Sequence, residues 1–421
     1  MVDLKFIRQN PEAIRKAIQE KKVDLSLDAL LSTDETVLSF KKQLQTLEEE
    51  KNSNAKKVAQ TSPQERTTLI ERGRTISQKI EEIKPQLLQA EEKLQEFLWL
   101  VPNIPAPEAP RGLTEEDNVQ IKQWGTPRSF DFPPLDHVEI LDQHHWAELE
   151  RIAKIAGSRS YSLRNEMVLL EAALHRFALE HLRAKGFQLI TVPAIARDFA
   201  FYGTGHFPTG KEQAYFLPQD DLYLAGTAEV LLNSLHRGEV FKENDLPILY
   251  AGFSPCFRRE AGSAGRDTRG LIRVHQFMKV EQFIICKNDP AESAHWHEEL
   301  LKTSEEIVQA LELPYRVVDV CTGDMGAGKI RQYDIEAWVP SEKKYRETHS
   351  CSSLHEWQAR RTDLRYRESD GKMKYCHTLN NTAIATPRIL VPLLENHQQK
   401  DGSISLPQKI QPYLSGLHKL G

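Results

Sequence analysis

The 421-residue chain has few cysteines, only Cys256, Cys286, Cys321, Cys351 and Cys376. Five scattered thiols exclude a disulfide framework and fit a reducing compartment. No apolar run approaches the roughly 20 residues of a bilayer span. Residues Met1 to Arg8 lack an apolar stretch, so no secretory leader is expected and a cytoplasmic location is. A net charge of −5 excludes a wholly basic surface, so any affinity for nucleic acid must be local. Glycine-rich phosphate motifs of the dinucleotide or Walker type are missing. Gly323 to Lys329 comes nearest, but no Ser or Thr follows Lys329 and a tight loop is expected. His349, Cys351, His355, Cys376 and His377 match no zinc spacing, and no zinc is expected.

What the chain does contain begins with helix signals. Residues 1 to about 32 read as a helical lead-in, with Asn10 and Pro11 as a cap and first turn. From Thr33 to Leu100 apolar positions step by three and four. Val37, Phe40, Leu44 and Leu47 lead to Lys51, Ala55 and Val58; Leu69, Ile76, Ile80, Ile83, Leu87, Leu94 and Phe97 follow a break at Thr61-Ser62-Pro63. This heptad spacing predicts an antiparallel coiled-coil hairpin with arms at 33–61 and 64–100. Pro85, off the seam of the second arm, should kink it or cost stability. The distal half is basic: Lys51, Lys56, Lys57, Arg66, Arg72, Arg74 and Lys79 face only Glu65 and Glu71 between 51 and 79. Such a rod suits a nucleic-acid backbone. The plain alternative is a spacer or dimerisation coiled coil with a solvated tip.

Pro102, Pro105, Pro107 and Pro110 mark a stiff linker, and Pro127, Pro133 and Pro134 extend it as a connector over 101–134. Residues 1–100 thus form one domain and 135–421 another. In the latter, helices are expected over Leu135 to Ile155, Glu166 to Ala184 and Ala291 to Leu311, with a last one opening at Pro387-Arg388. Hairpins and a strand-rich middle predict an α+β fold on a mainly antiparallel sheet flanked by helices.

Within it, Ser254 to Gln282 is the chemically dense stretch. Phe257 to Glu260 closes one strand and Val274 opens another. Between them Gly262, Gly265 and Gly270 alternate with Arg266, Arg269 and Arg273, which predicts a mobile basic loop suited to phosphates. A merely solvated loop is the bland reading of this composition.

Three segments in order resemble the signatures of class II aminoacyl-tRNA synthetases. They are the helix into Gly186-Phe187-Gln188-Leu189-Ile190-Thr191-Val192-Pro193, then Phe257-Arg258-Arg259-Glu260 with His275-Gln276-Phe277, then the helix at Arg388. The hairpin in front, Thr227-Ala228-Glu229 and Arg346 to Ser352 narrow the resemblance to bacterial-type seryl-tRNA synthetases. The third signature departs from the family, with Ala383 to Pro387 where glycines usually stand.

The resemblance implies activation of L-serine by ATP with Mg²⁺, then transfer to tRNA(Ser), and to tRNA(Sec) where present. It implies a homodimer that binds tRNA across subunits, with no membrane role. Arg258, Glu260 and Arg388 are the implied catalytic residues. Thr227, Glu229, Arg258, Glu281, Asn380 and Thr382 would bind serine. Glu260, Arg273, Val274, Phe277, Glu347, Ser350 and Arg388, again with Arg258, would bind ATP, and Glu347 and Ser350 its Mg²⁺. Lys51, Lys56, Lys57, Arg66, Arg72, Arg74, Arg266 and Arg269 would meet tRNA. Glu281 also admits a plain reading, a strand carboxylate paired with Lys279. Two rival functions stay open: a serine-activating paralogue that loads a carrier protein, and an inactive RNA-binding homologue.

Overall fold

A computed structural model describes residues 1–262, 265, 267 and 269–421, without the side chains of 63 and 64. Arg266 lies outside the described residues. The chain divides into two compact units, Val2–Pro102 and Asn103–Gly421, with Met1 grouped in the second.

The first unit holds α1 (Leu4–Gln9), α2 (Pro11–Glu20) and two long antiparallel helices, α3 (Leu27–Gln60) and α4 (Pro63–Leu100). Asn10 is the N-cap of α2, with Pro11 in the first turn, and also closes α1: its side-chain amide donates back to Phe6 O at 3.1 Å instead of bonding into α2. Helix α3 starts six residues before the heptad pattern because Ser26 Oγ accepts from Ala29 N at 3.3 Å. Val37, Ile76, Ile80, Leu94 and Leu98 are buried on the seam. Lys51 and Ala55 line the groove between α3 and α4 but are exposed, and the buried residue there is Asn54. Asn54 Nδ2 donates to Leu69 O at 2.7 Å while its buried Oδ1 has no partner, and a polar residue at such a position is invisible to a hydrophobic pattern. Pro85 is exposed and α4 continues through it.

In the second unit the elements are, in order, β1 (Val119–Trp124), α5 (His137–Gln143), α6 (Glu150–Ala156), α7 (Glu166–Ala184), β2 (Gln188–Thr191), β3 (Ile195–Ala196), α8 (Asp198–Thr204), β4 (Phe216–Leu217) and β5 (Leu222–Leu224). Then come α9 (Glu229–Leu235), β6 (Val240–Lys242), β7 (Ile248–Phe257), β8 (Gln276–Cys286), α10 (Pro290–Ala310), β9 (Tyr315–Asp319), β10 (Arg331–Val339) and β11 (Lys344–His355). Helix α11 (Trp357–Thr362), β12 (Arg365–Arg367), β13 (Met373–Tyr375), β14 (His377–Thr386) and α12 (Leu390–His397) follow. Eight strands form one sheet in the order β1-β9-β10-β11-β14-β8-β7-β2. Its pairs are antiparallel except β2 with β7.

Three local expectations change. The 101–134 segment is not a bare connector, because Val119–Trp124 pairs with β9 as the sheet's edge. The helix expected over 135–155 breaks into α5 and α6, with Trp146 buried between them. The last helix opens at Leu390 rather than Pro387, since β14 runs on to Thr386 and a turn occupies 387–389.

Period-two alternation gives the sheet two chemistries. On β8, Val280, Ile284 and Cys286 join the apolar core with Leu300, Ile307 and Val308 of α10. Phe277, Lys279 and Glu281 point the other way, into a cavity. Two bulges reshape that polar face. On β11, Ile335 faces His349 but Glu336 faces Glu347, so Thr348 is the extra residue. On β14, Thr382 pairs with Glu281 and Ile384 with Val280, so Ala383 is extra. His349 Nε2 lies 3.0 Å from Ala383 O and ties one bulge to the other.

Candidate active site

The cavity on the polar face holds about 420 Å³. It gathers residues far apart in sequence: Thr227, Glu229, Arg258, Glu260, Arg273, Val274, Phe277, Glu281, Glu347, Ser350, Asn380, Thr382 and Arg388 all line it. Every serine, ATP and metal candidate from the sequence is therefore brought together. The tRNA candidates are not among them. Lys51, Lys56, Lys57, Arg66, Arg72 and Arg74 are exposed on α3 and α4, and Arg269 pairs with Asp136 at 2.7 Å.

One cluster surrounds Thr227 and Glu281. Thr227 Oγ1 donates to Glu281 Oε2 at 2.7 Å and accepts from Lys279 Nζ at 2.8 Å and Glu229 N at 3.2 Å. Lys279 also forms an ion pair with Glu281, both side chains being buried. The plain reading of Glu281 is thus partly realised, but inside the cavity rather than away from it. Thr382, its direct cross-strand partner, shares that face.

Glu229 is handled differently. Its Oε1 accepts from Gln358 Nε2 at 2.7 Å and Asn380 Nδ2 at 3.0 Å. Burial pushes its pKa up, against the pull of Gln358, Lys279, Lys329 and Arg258.

Around the third group, Arg258 spans Gly226 O at 3.3 Å and the Phe277 ring at 5.2 Å. Arg273 meets Glu260 at 2.7 Å and Asp267 at 3.7 Å. Arg388 donates to Ile272 O at 3.1 Å and Glu347 O at 3.3 Å. The β11 bulge puts Glu347 and Ser350, three residues apart, on one face, which gives two oxygen donors of the type Mg²⁺ takes. Ser350 Oγ accepts from Gln332 Nε2 at 3.1 Å, and Gln332 also donates to Asp334 at 2.9 Å. Burial and then the nearby Glu347 push the Asp334 carboxyl above its ordinary range.

Sequence reasoning misses several lining residues. It offers Lys279 only as a partner for Glu281, although strand alternation sets both on the same face. The 323–329 loop lacks a phosphate motif, yet Gly326, Ala327, Gly328 and Lys329 line the cavity. Asn103 holds that loop, donating to Gly328 O at 3.1 Å through its side chain and to Ala327 O at 2.9 Å through its backbone. A side chain at Gly205 or Gly328 would strike the Trp357 ring, which explains the close packing there. His206 lines the cavity and is exposed to it. Desolvation, then Arg258, Lys279 and Lys329, drive its pKa down to about 4. No local pattern in the sequence signals Gln358 or His206.

The seryl-tRNA synthetase N-terminal domain model covers 1–105, and the tRNA synthetase class II core domain model (G, H, P, S and T) covers 216–397. The chain is 53% identical to the serine–tRNA ligase of Deinococcus radiodurans, over 100% of this chain and 99% of that one. It is 40% identical to that of Pyrococcus horikoshii, over 98% and 96%. The crystal structure of seryl-tRNA synthetase from Pyrococcus horikoshii complexed with ATP superposes with a TM-score of 0.91 at 39% identity, covering 100% and 99%. Close matches in archaea as well as bacteria are broader than the bacterial-type resemblance. With its N-terminal helical unit, its class II core and its full-length relatives, the chain belongs to the seryl-tRNA synthetase family, the serine–tRNA ligases of class II.

Proposed function

We propose that the chain joins L-serine to ATP, forming seryl-adenylate and pyrophosphate, and then transfers serine to the 3′ end of tRNA(Ser). The observation that carries this reading is one cavity that gathers Thr227, Glu229, Glu281, Asn380 and Thr382 beside Arg258, Glu260, Arg273, Phe277, Glu347, Ser350 and Arg388. In the first step a serine carboxylate oxygen attacks the α-phosphorus and pyrophosphate leaves. Two anions must approach, so charge neutralisation and alignment matter more than proton transfer. Arg258 would lie between the carboxylate and the α-phosphate. Phe277 and Arg388 would stack on the adenine, whose amino group would donate to Glu260. Arg273 would exchange its carboxylate partners for the γ-phosphate, and Val274 would pack beside the nucleotide. Glu347 and Ser350 would hold Mg²⁺, which when bound offsets charge on the phosphates.

For serine, Thr227 and Glu229 would take the α-ammonium. Glu281, Thr382 and Asn380 would take the hydroxyl. A site whose buried groups need that hydroxyl rejects alanine by about 10⁴ without editing. This zinc-independent recognition is the bacterial-type assignment. The exposed Val168, Leu169 and Leu189 on α7 and the edge strand β2 support a homodimer through that face. The basic residues of α3 and α4, with Arg266 and Arg269, would then grip tRNA bound across subunits, tRNA(Sec) included. No helix among the described residues is long and apolar enough to cross a membrane, in keeping with a cytoplasmic enzyme.

The test is ATP–pyrophosphate exchange with each amino acid in turn. Exchange should depend on serine. Its absence with serine would sink this reading.

A further inference from the structure

Two carboxylates stand in the amino-acid end of the site, and they are held by unlike partners. Glu281 is matched by the Lys279 ammonium and by the Thr227 hydroxyl. A carboxylate whose charge is already met suits a neutral hydroxyl. Glu229 Oε1 accepts from two neutral amides, those of Gln358 and Asn380. That leaves its negative charge for a cation. Were a lysine in place of Gln358, an incoming ammonium would have to compete with it.

The Gln358 amide can point only one way. It is fully buried, its Oε1 accepts from Thr378 Oγ1 at 2.7 Å, and its Nε2 donates to Glu229 and to Thr204 O at 3.3 Å. A carboxylate and a carbonyl can only accept, and the Thr378 hydroxyl supplies the proton on the other side. Helix α11 carries Gln358, and Trp357 beside it packs against Gly205 and Gly328 at the cavity wall.

We propose that Gln358 is a positioning residue for serine recognition: it pins Glu229 Oε1 so that Oε2 is presented to the substrate α-ammonium. This rests on the placement of serine given above. Gln358 touches no substrate atom in that placement. Its second role is to favour the ionised Glu229, which burial disfavours. The charged groups facing Glu229 are Arg258 beyond β7, Lys279 on β8 and Lys329 from the 323–329 loop; Glu281 and His206 share the cavity.

The experiment measures the pH profile of serine-dependent ATP–pyrophosphate exchange from mildly acid to mildly basic pH. Three proteins are compared: the full chain, Gln358→Met and Thr378→Val. Losing a hydrogen bond to a charged group should raise KM for serine about tenfold or more in Gln358→Met, with KM for ATP within about twofold. The acid limb of kcat/KM for serine should move to higher pH. Thr378→Val, which only frees the amide, should move both in the same sense by less. Should Gln358→Met fail to fold, the Thr378→Val profile decides alone. An unchanged serine KM and acid limb would overturn the proposal, as would equal rises in KM for ATP and serine. Absence of serine-dependent exchange in the unaltered chain would instead refute the placement of serine itself.

Discussion

Lys279 and Glu281 occupy same-face positions of β8, and their ion pair is buried among groups that all hydrogen-bond. Removing one member of such a pair strands the other, which costs about 3–5 kcal/mol, whereas replacing both by apolar groups is close to neutral. Glu281→Ala should therefore lower serine-dependent exchange by orders of magnitude and also lower stability. The double variant Glu281→Ala with Lys279→Met should recover most of the stability and none of the activity. Denaturant unfolding beside exchange kinetics separates the two effects; recovered activity in the double variant would move hydroxyl recognition elsewhere. Glu281 is legible in the sequence because it follows Phe277 on an alternating strand within a family signature. Gln358 is not, because its role depends on a hydrogen bond to Glu229 across 129 residues of chain. A bond of that kind leaves no periodicity to read.

The elements show the same division. Helix α7, strand β8 and helix α10 are readable from apolar period and caps, and α7 spans the expected Glu166–Ala184. The bulges at Thr348 and Ala383 are not, since an extra residue in a strand is a property of the pairing and not of either strand alone. Yet the first of them sets Glu347 beside Ser350. In α4 the open question is Pro85, which lacks an N–H for the i−4 carbonyl and whose position is exposed, where packing has little to offset that loss. Pro85→Ala should stabilise the helical unit by up to about 3 kcal/mol. Helical circular dichroism during thermal unfolding of the full chain should show that transition shifted upward. A downward shift would mean that the proline ring contributes more through packing than the missing hydrogen bond costs.

At the scale of the whole chain, the two units carry two chemistries. The cavity lies within Asn103–Gly421, while the basic residues Lys51, Lys56, Lys57, Arg66, Arg72 and Arg74 are exposed on the helices of Val2–Pro102. Two of these already have weak partners: Arg72 lies 3.9 Å from Glu50, and Arg66 Nε donates to Val58 O at 3.3 Å. Exposed pairs of this sort contribute at most about 1 kcal/mol, so they do not prevent the cations from meeting phosphates. Changing all six to Gln preserves helix propensity and removes six positive charges. Serine-dependent exchange should be unaffected, because no lining residue of the cavity changes. Aminoacylation should fail through a raised KM for tRNA, and the log–log salt dependence of tRNA binding should flatten by about 0.7–0.9 for each phosphate no longer neutralised. A flattened slope with normal exchange assigns the rod to RNA binding. An unchanged slope would assign it to spacing or self-association, the reading that coiled-coil periodicity alone could never exclude.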